Sequence, residues 1–171
     1  NLDERKKRII SDHARSIAFL LADGVRPSNK EAGYILRRLM RRVMAYEKID
    51  SIPSHIIDAM IHEVIHEYGD FYPELKKNSD VVQKEVRDER ERFRKVLQDG
   101  LMKIEHAIRF DEKLKKIDDK LQKIKDQTIG AYAGRLSFRL FESEGFPIDI
   151  SKESFQKAGY NLSGFDEAFK N

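Results

Sequence analysis

The sequence predicts an all-α protein, a multi-helix bundle with a long charged helical hairpin and a small C-terminal helical tail. Three observations carry this prediction. Glycine and proline number only 9 and 4 in 171 residues. Apolar residues recur at steps of three and four along most of the chain. Alternating apolar-polar runs of the kind a half-buried strand needs are hard to find.

The first helix is predicted from Arg5 to about Ala22, with Ile10, Ala14, Ile17, Ala18 and Leu21 on one face. Asp23-Gly24 and Pro27 stop it. Ser28 and Glu31 have the spacing of a capping box, which places Asn29 in the first turn of the second helix. On that helix Ala32, Leu36, Leu39, Met40, Val43 and Met44 share one side, and Tyr34, Arg37, Arg38, Arg41 and Arg42 the other. A third helix is predicted from a cap at Ser54 to Tyr68, burying Ile57, Met60, Ile61 and Val64. After a break at Asp70 to Pro73, Ser79 caps a long helix with Val82, Val86, Phe93, Leu97, Leu101, Ile104 and Ile108 inward. Ala107, Phe110, Leu114, Ile117, Leu121 and Ile124 then step by three and four like a coiled-coil seam, too short for a dimer and read as an intramolecular hairpin. Gln127 to Gly134 read as a connection and Leu136 to Phe141 as a short helix before Gly145-Phe146-Pro147. The tail has two short helices, capped by Ser151 and Ser163, with Gly159 as a stop.

No window approaches the roughly 18 unbroken apolar residues of a membrane span, and no signal-peptide pattern opens the chain. Cysteine is absent, so these residues form no disulfide, thiolate zinc site or cysteine nucleophile. The first residue is Asn1 rather than Met, so the sequence reads as a piece excised from something longer. A net charge of +3 hides an asymmetry: residues 1–50 carry 12 Lys+Arg against 7 Asp+Glu, and residues 51–100 carry 8 against 11. The basic excess at the front is mostly arginine, whose planar fork suits phosphates and base edges.

Two motifs stand out. His62-Glu63-Val64-Ile65-His66 matches the pattern of a zinc hydrolase, two histidines one helical turn apart with a glutamate base. Against that reading, His55, His62 and His66 lie toward the polar edge of a helix, charged Glu67 follows directly, and no third ligand is signposted; a solvated helix face explains the pattern better. The stripe Arg37-Arg38-x-x-Arg41-Arg42 holds four arginines without an interleaved acid, beside Tyr34. Unpaired arginines repel one another and contribute little as structure, so the stripe points to nucleic acid or phosphate. No Gly-rich phosphate loop and no supported Ser-His-Asp arrangement is visible.

The runs Ser11-Asp12-His13-Ala14-Arg15-Ser16, Phe19-Leu20-Leu21-Ala22-Asp23-Gly24-Val25-Arg26-Pro27-Ser28-Asn29 and Gly33-Tyr34-Ile35-Leu36-Arg37-Arg38-Leu39-Met40-Arg41-Arg42 resemble alanyl-tRNA synthetases. Two later blocks agree in order: Tyr68-Gly69-Asp70-Phe71-Tyr72-Pro73-Glu74-Leu75 with Glu91-Arg92-Phe93 and Gly100-Leu101, and Phe138-Arg139-Leu140-Phe141-Glu142-Ser143-Glu144-Gly145-Phe146-Pro147-Ile148-Asp149. The resemblance is weak between Met44 and Glu67 and lapses from about Ile104 to Ala133, where a charged insertion longer than in bacterial relatives is read.

The resemblance implies the helical tRNA-recognition region between the class II catalytic domain and the editing domain. Residues 1–171 then form a single recognition domain, with 1–127 as the main bundle and 128–171 as a C-terminal subregion. It implies no catalytic or metal-binding residue within the chain; ATP, magnesium and an editing-domain zinc belong to the parent enzyme. The implied partners are the tRNA-Ala acceptor stem and the parent's catalytic and editing domains, in the cytoplasm and away from membranes. Family members read a G·U wobble pair with an asparagine and an aspartate, which correspond here to Asn29 and, with one extra methylene, Glu142. Arg37, Arg38, Arg41 and Arg42 match the family's basic pairs and are expected on phosphate or sugar. The alternatives are a structural linker between domains, a split-subunit RNA-binding module, and a zinc hydrolase built on His62, Glu63 and His66.

Overall fold

The computed structural model describes residues 3–53, 55–115 and 122–170, without the side chains of 111–129 and 170. The described elements are α1 (Glu4–Ala22), α2 (Glu31–Ile49), α3 (Ile56–Tyr68), α4 (Pro73–Lys77), α5 (Ser79–Lys115), α6 (Gln122–Arg139), a π-helical turn (Leu140–Glu144), α7 (Ile148–Lys157) and α8 (Phe165–Lys170). No strand occurs among the described residues, as the Gly/Pro scarcity and the apolar spacing predict. The chain divides into two compact units, 1–93 and 94–171. The division falls inside the continuous helix α5, where no proline, glycine or polar linker marks it.

In the first unit, the Asp3 side chain accepts a hydrogen bond from the Arg5 backbone N–H and opens α1. The helix ends at Asp23, and Gly24 takes φ +92°, a conformation that costs glycine least. Ile10, Ala14, Ile17, Ala18 and Leu21 are buried as predicted, and this stripe packs on α2, α3 and α4. Leu36, Met40 and Val43 of α2, Ile57 and Ile61 of α3, Leu75 of α4 and Val82, Val86 and Phe93 of α5 complete the core. The predicted inward positions Met60 and Leu39 are half-buried and Ala32 is exposed. The predicted cap at Ser54 lies outside the described residues; α3 follows His55, which makes no side-chain cap.

Charged groups also join these helices. The Arg41 Nε donates to Glu89 Oε1 at 2.7 Å, and Arg92 Nε donates to the other Glu89 oxygen at 2.9 Å. Arg90 bridges Glu47 at 2.5 Å and Asp58 at 2.6 Å. Glu47 also accepts the Ile57 backbone N–H at 3.2 Å, satisfying a donor in the first turn of α3. These contacts join α5 to α2 and to α3.

The second unit is assembled by close backbone approach. The helix α6 passes through Gln127 to Gly134, so the predicted connection there is corrected to helix. Its glycines are contact points rather than turns: a Cβ at Gly130 would lie 2.1 Å from the Ser163 carbonyl oxygen, and one at Gly134 would lie 2.6 Å from that of Phe165. Gly100 of α5 likewise admits the buried Phe146 ring, which a Cβ would meet at 2.2 Å. Phe146, Phe155 and Phe165 are fully buried, and Phe169 packs edge-on to Phe138 and Phe141, 5.5 Å from each ring. Of the predicted hairpin seam, Ala107 is half-buried and Phe110 exposed; Ile117 and Leu121 lie outside the described residues, and Leu114 and Ile124 outside the described side chains. The tail carries two short helices, but α7 starts at Ile148, before Ser151, which is buried inside it.

Candidate nucleic-acid interface

The loop before α2 is built on a serine and a glycine. The Ser28 backbone N–H donates to the Gly33 carbonyl at 3.1 Å. The Ser28 hydroxyl accepts from the Lys30 N–H at 3.2 Å and donates to the Lys30 carbonyl at 3.0 Å. The loop lies so close to α2 that a Cβ on Gly33 would meet Ser28 Oγ at 2.3 Å and the Arg26 carbonyl oxygen at 2.4 Å. The capping-box expectation is therefore corrected. Helix α2 starts at Glu31 without a side-chain cap, and Glu31 itself takes φ +48°. Asn29 sits exposed in the loop before the helix rather than in its first turn, because Ser28 closes a local turn instead of capping.

Two turns into α2, Arg37 Nη1 donates to Asn29 Oδ1. The Arg37 and Arg38 guanidinium carbons stand 5.7 and 5.6 Å from the Tyr34 ring centroid, so one aromatic ring supports both cations. Burial, and then the neighbouring Arg41 charge, push the Arg37 guanidinium below its ordinary value, and its Nε is buried without a hydrogen-bond partner. Arg42 is exposed; its Nε donates to the Tyr46 hydroxyl at 3.2 Å, and its guanidinium carbon is 5.9 Å from the Tyr46 ring. Lys6 adds its ammonium 5.6 Å from the same ring and pairs with Asp50 at 2.6 Å, which raises the Lys6 value.

Arg41 departs from the expectation. It is 5% exposed against a Glu89 that is 1% exposed, with its guanidinium carbon 5.6 Å from the Phe93 ring. The helical wheel puts Arg41 beside Arg37, and it does not show that α5 covers that flank of α2. Its acidic partner lies 48 residues away, beyond any local pattern. The outward cationic face is therefore Arg37, Arg38 and Arg42.

Two side chains that sequence reasoning did not assign to the site adjoin this face. Tyr46 holds Arg42, and its position one turn after that arginine was the available signal. His13 is half-buried, and burial, followed by the Arg42 charge, pushes its imidazole below the ordinary value. Glu142 belongs to the second unit, exposed in the π-helical turn that Gly145 closes at φ +67°. Within that unit Glu144, two residues on, pairs with Lys103. Turns of this π type occur frequently at functional sites.

The zinc-hydrolase pattern does not assemble. Among the described residues, the side chains able to bring ligand atoms within 4.8 Å of one another are Glu63, His66 and Glu67, all exposed, and His62 is not among them. His66 instead lies 3.4 Å from Glu67. No described helix is long and apolar enough to cross a membrane.

A family profile described as tRNA synthetases class II (A) matches residues 1–170. The chain is 36% identical over 163 residues to the alanine–tRNA ligase of Parvibaculum lavamentivorans, covering 94% of this chain and 17% of that protein. To the alanine–tRNA ligase of Borrelia garinii subsp. bavariensis it is 37% identical over 172 residues, 98% of this chain and 26% of the relative. To that of Bacillus subtilis it is 33% identical over 169 residues, 98% of this chain and 18% of the relative. The chain thus spans 17% of the length of the first of these relatives. The chain belongs to the class II (A) tRNA synthetase family, as the region its alanine–tRNA ligase relatives share with it.

Proposed function

We propose that the chain recognises the acceptor stem of tRNA-Ala for an alanine–tRNA ligase and so supports aminoacylation in the cytoplasm. The observation that carries the reading is the loop before α2: exposed Asn29, hydrogen-bonded by Arg37 and followed by Arg38 and Arg42 on one helix. In an A-form stem the wide, shallow minor groove is the accessible one, and a G·U wobble leaves the guanine 2-amino group there without a pairing partner. An amide offers that groove both donors and an acceptor, and a carboxylate such as Glu142 accepts from an amino group. Arg37, Arg38 and Arg42 supply positive charge near phosphate or sugar, which sets register while base contacts set identity. Arg41 serves from inside, holding α2 against α5 through Glu89.

The proposal treats residues 1–171 as one recognition region working with the catalytic and editing domains of the parent synthetase. ATP, magnesium and the editing zinc act in those domains. The test is binding of the chain to two acceptor-stem hairpins that differ only in G·U against G-C, across a salt series. A preference for the wobble stem is expected. Salt-sensitive binding without preference would leave only a basic surface, and no binding would return the region to a structural link between domains.

A further inference from the structure

We infer that Arg37 is a positioning residue for Asn29, orienting its carboxamide so that the amide NH2 points outward to a hydrogen-bond acceptor in the RNA minor groove. The inference rests on the proposed reading of the α2 face as RNA-binding.

An exposed asparagine ordinarily has two near-equivalent amide orientations, one offering oxygen and the other nitrogen to a given neighbour. Here the neighbour is a guanidinium, which has donors and no acceptor. Arg37 Nη1 donates to Asn29 Oδ1. The flipped amide would set an NH2 against a cation, donor against donor, so one orientation is selected. The cation is itself held: its carbon lies 5.7 Å from the Tyr34 ring centroid and its Nε is buried. Below Asn29, the Ser28 turn on Gly33 anchors the backbone. With one lone pair of Oδ1 engaged by a charged donor and the oxygen drawn toward Arg37, Asn29 presents its two amide hydrogens outward. They match a minor-groove acceptor whose position differs between the two pairs, such as the pyrimidine O2, which the wobble geometry displaces from its place in a G-C pair. The guanine 2-amino group, itself a donor, needs an acceptor elsewhere, which is the chemistry of a carboxylate. Arg37 thereby differs from Arg38 and Arg42: beyond the positive charge it shares with them, it acts on specificity through Asn29.

The test uses the same two hairpins with the chain carrying Asn29→Ala, Arg37→Ala, Arg37→Lys, Asn29→Asp and the Asn29→Ala/Arg37→Ala pair. Unfolding transitions matching the unsubstituted chain exclude misfolding, and Arg37→Lys retains the charge and most of the side-chain packing. The ratio of wobble to G-C affinity is expected to fall about tenfold in Asn29→Ala and in Arg37→Ala, in the range of a lost specific base contact. The double variant is expected to lose no more than either single one, since both break the same contact. Asn29→Asp keeps an acceptor for Arg37 and lacks the NH2, so it too loses the preference. Arg37→Lys keeps a donor-only cation at the position and is expected to keep the salt dependence and more of the ratio than Arg37→Ala. If Arg37→Ala keeps the wobble preference while weakening both stems equally, Arg37 is a phosphate contact only and the positioning role is overturned while the RNA reading stands. If the unsubstituted chain shows no preference or no binding, the RNA reading itself fails and this inference with it.

Discussion

Beside the apolar packing that both share, residues 1–93 and residues 94–171 differ in their most buried contacts between helices. The first unit joins helices through charged side chains: Arg41 with Glu89, and Arg90 with Glu47 and Asp58. The second joins them where glycines let backbones and rings meet, at Gly100, Gly130 and Gly134. A buried ion pair stays favourable only while both partners are present, and a close backbone contact only while no Cβ intervenes. The buried ion pairs of the first unit and the glycine contacts of α6 in the second are thus vulnerable to opposite changes, removal of a side chain in one case and addition in the other.

The sharpest way to break the contrast is Arg41→Ala. It leaves Glu89 buried with half of its pairing gone and is expected to cost about 3–5 kcal/mol of stability in denaturant melts. Replacing both, as Arg41→Met with Glu89→Leu, should recover most of that loss; failure to recover would mean that the pair contributes more than charge balance. In the second unit Gly130→Ala is expected to destabilise by about 1–3 kcal/mol through overpacking, although alanine at an unhindered helix site would stabilise by up to about 1 kcal/mol. A stabilised Gly130→Ala protein would end the close-contact account of α6 and α8.

Smaller effects probe the proposed recognition face. Asn29→Ala should leave the melting curve within about 0.5 kcal/mol of the parent chain, since the side chain is exposed, while removing about 1–3 kcal/mol of wobble discrimination in binding assays. Arg38→Ala should weaken both stems alike and lower the salt slope by about one. The smallest effect concerns His13. Its value lies below 6.5 in the folded chain, so the unfolded chain binds more protons as pH falls through that value and stability drops on the acid side. His13→Gln should flatten the stability profile between about pH 7 and 5, measured as unfolding midpoints across pH.

These two chemistries also separate what was legible from what was not. In the first unit the apolar stripe of α1 and the stop at Asp23-Gly24 follow from residues within a few positions of one another. Arg41 was misplaced because periodicity assigns a residue an angle on its helix, and the helix α5 that covers that angle arrives 48 residues later. Asn29 was placed one step too far into α2 because a serine three residues before a glutamate fits a cap and a loop turn equally well. In the second unit Gly130 and Gly134 read as a connection because a glycine signals the absence of a side chain and not the reason for it.

The amino-acid sequence alone therefore determined the helical class, most of the α1 to α5 core and the family resemblance, from which Asn29 and Glu142 are proposed as reading residues. All of these depend on local spacing or on contiguous motifs. Only the tertiary structure decided that Arg41 faces inward to Glu89, that Arg37 reaches back to Asn29, and that the α6 glycines are contacts rather than turns. Those outcomes depend on which surfaces meet after the chain has folded, and residues brought together across a long loop leave no periodic trace along it.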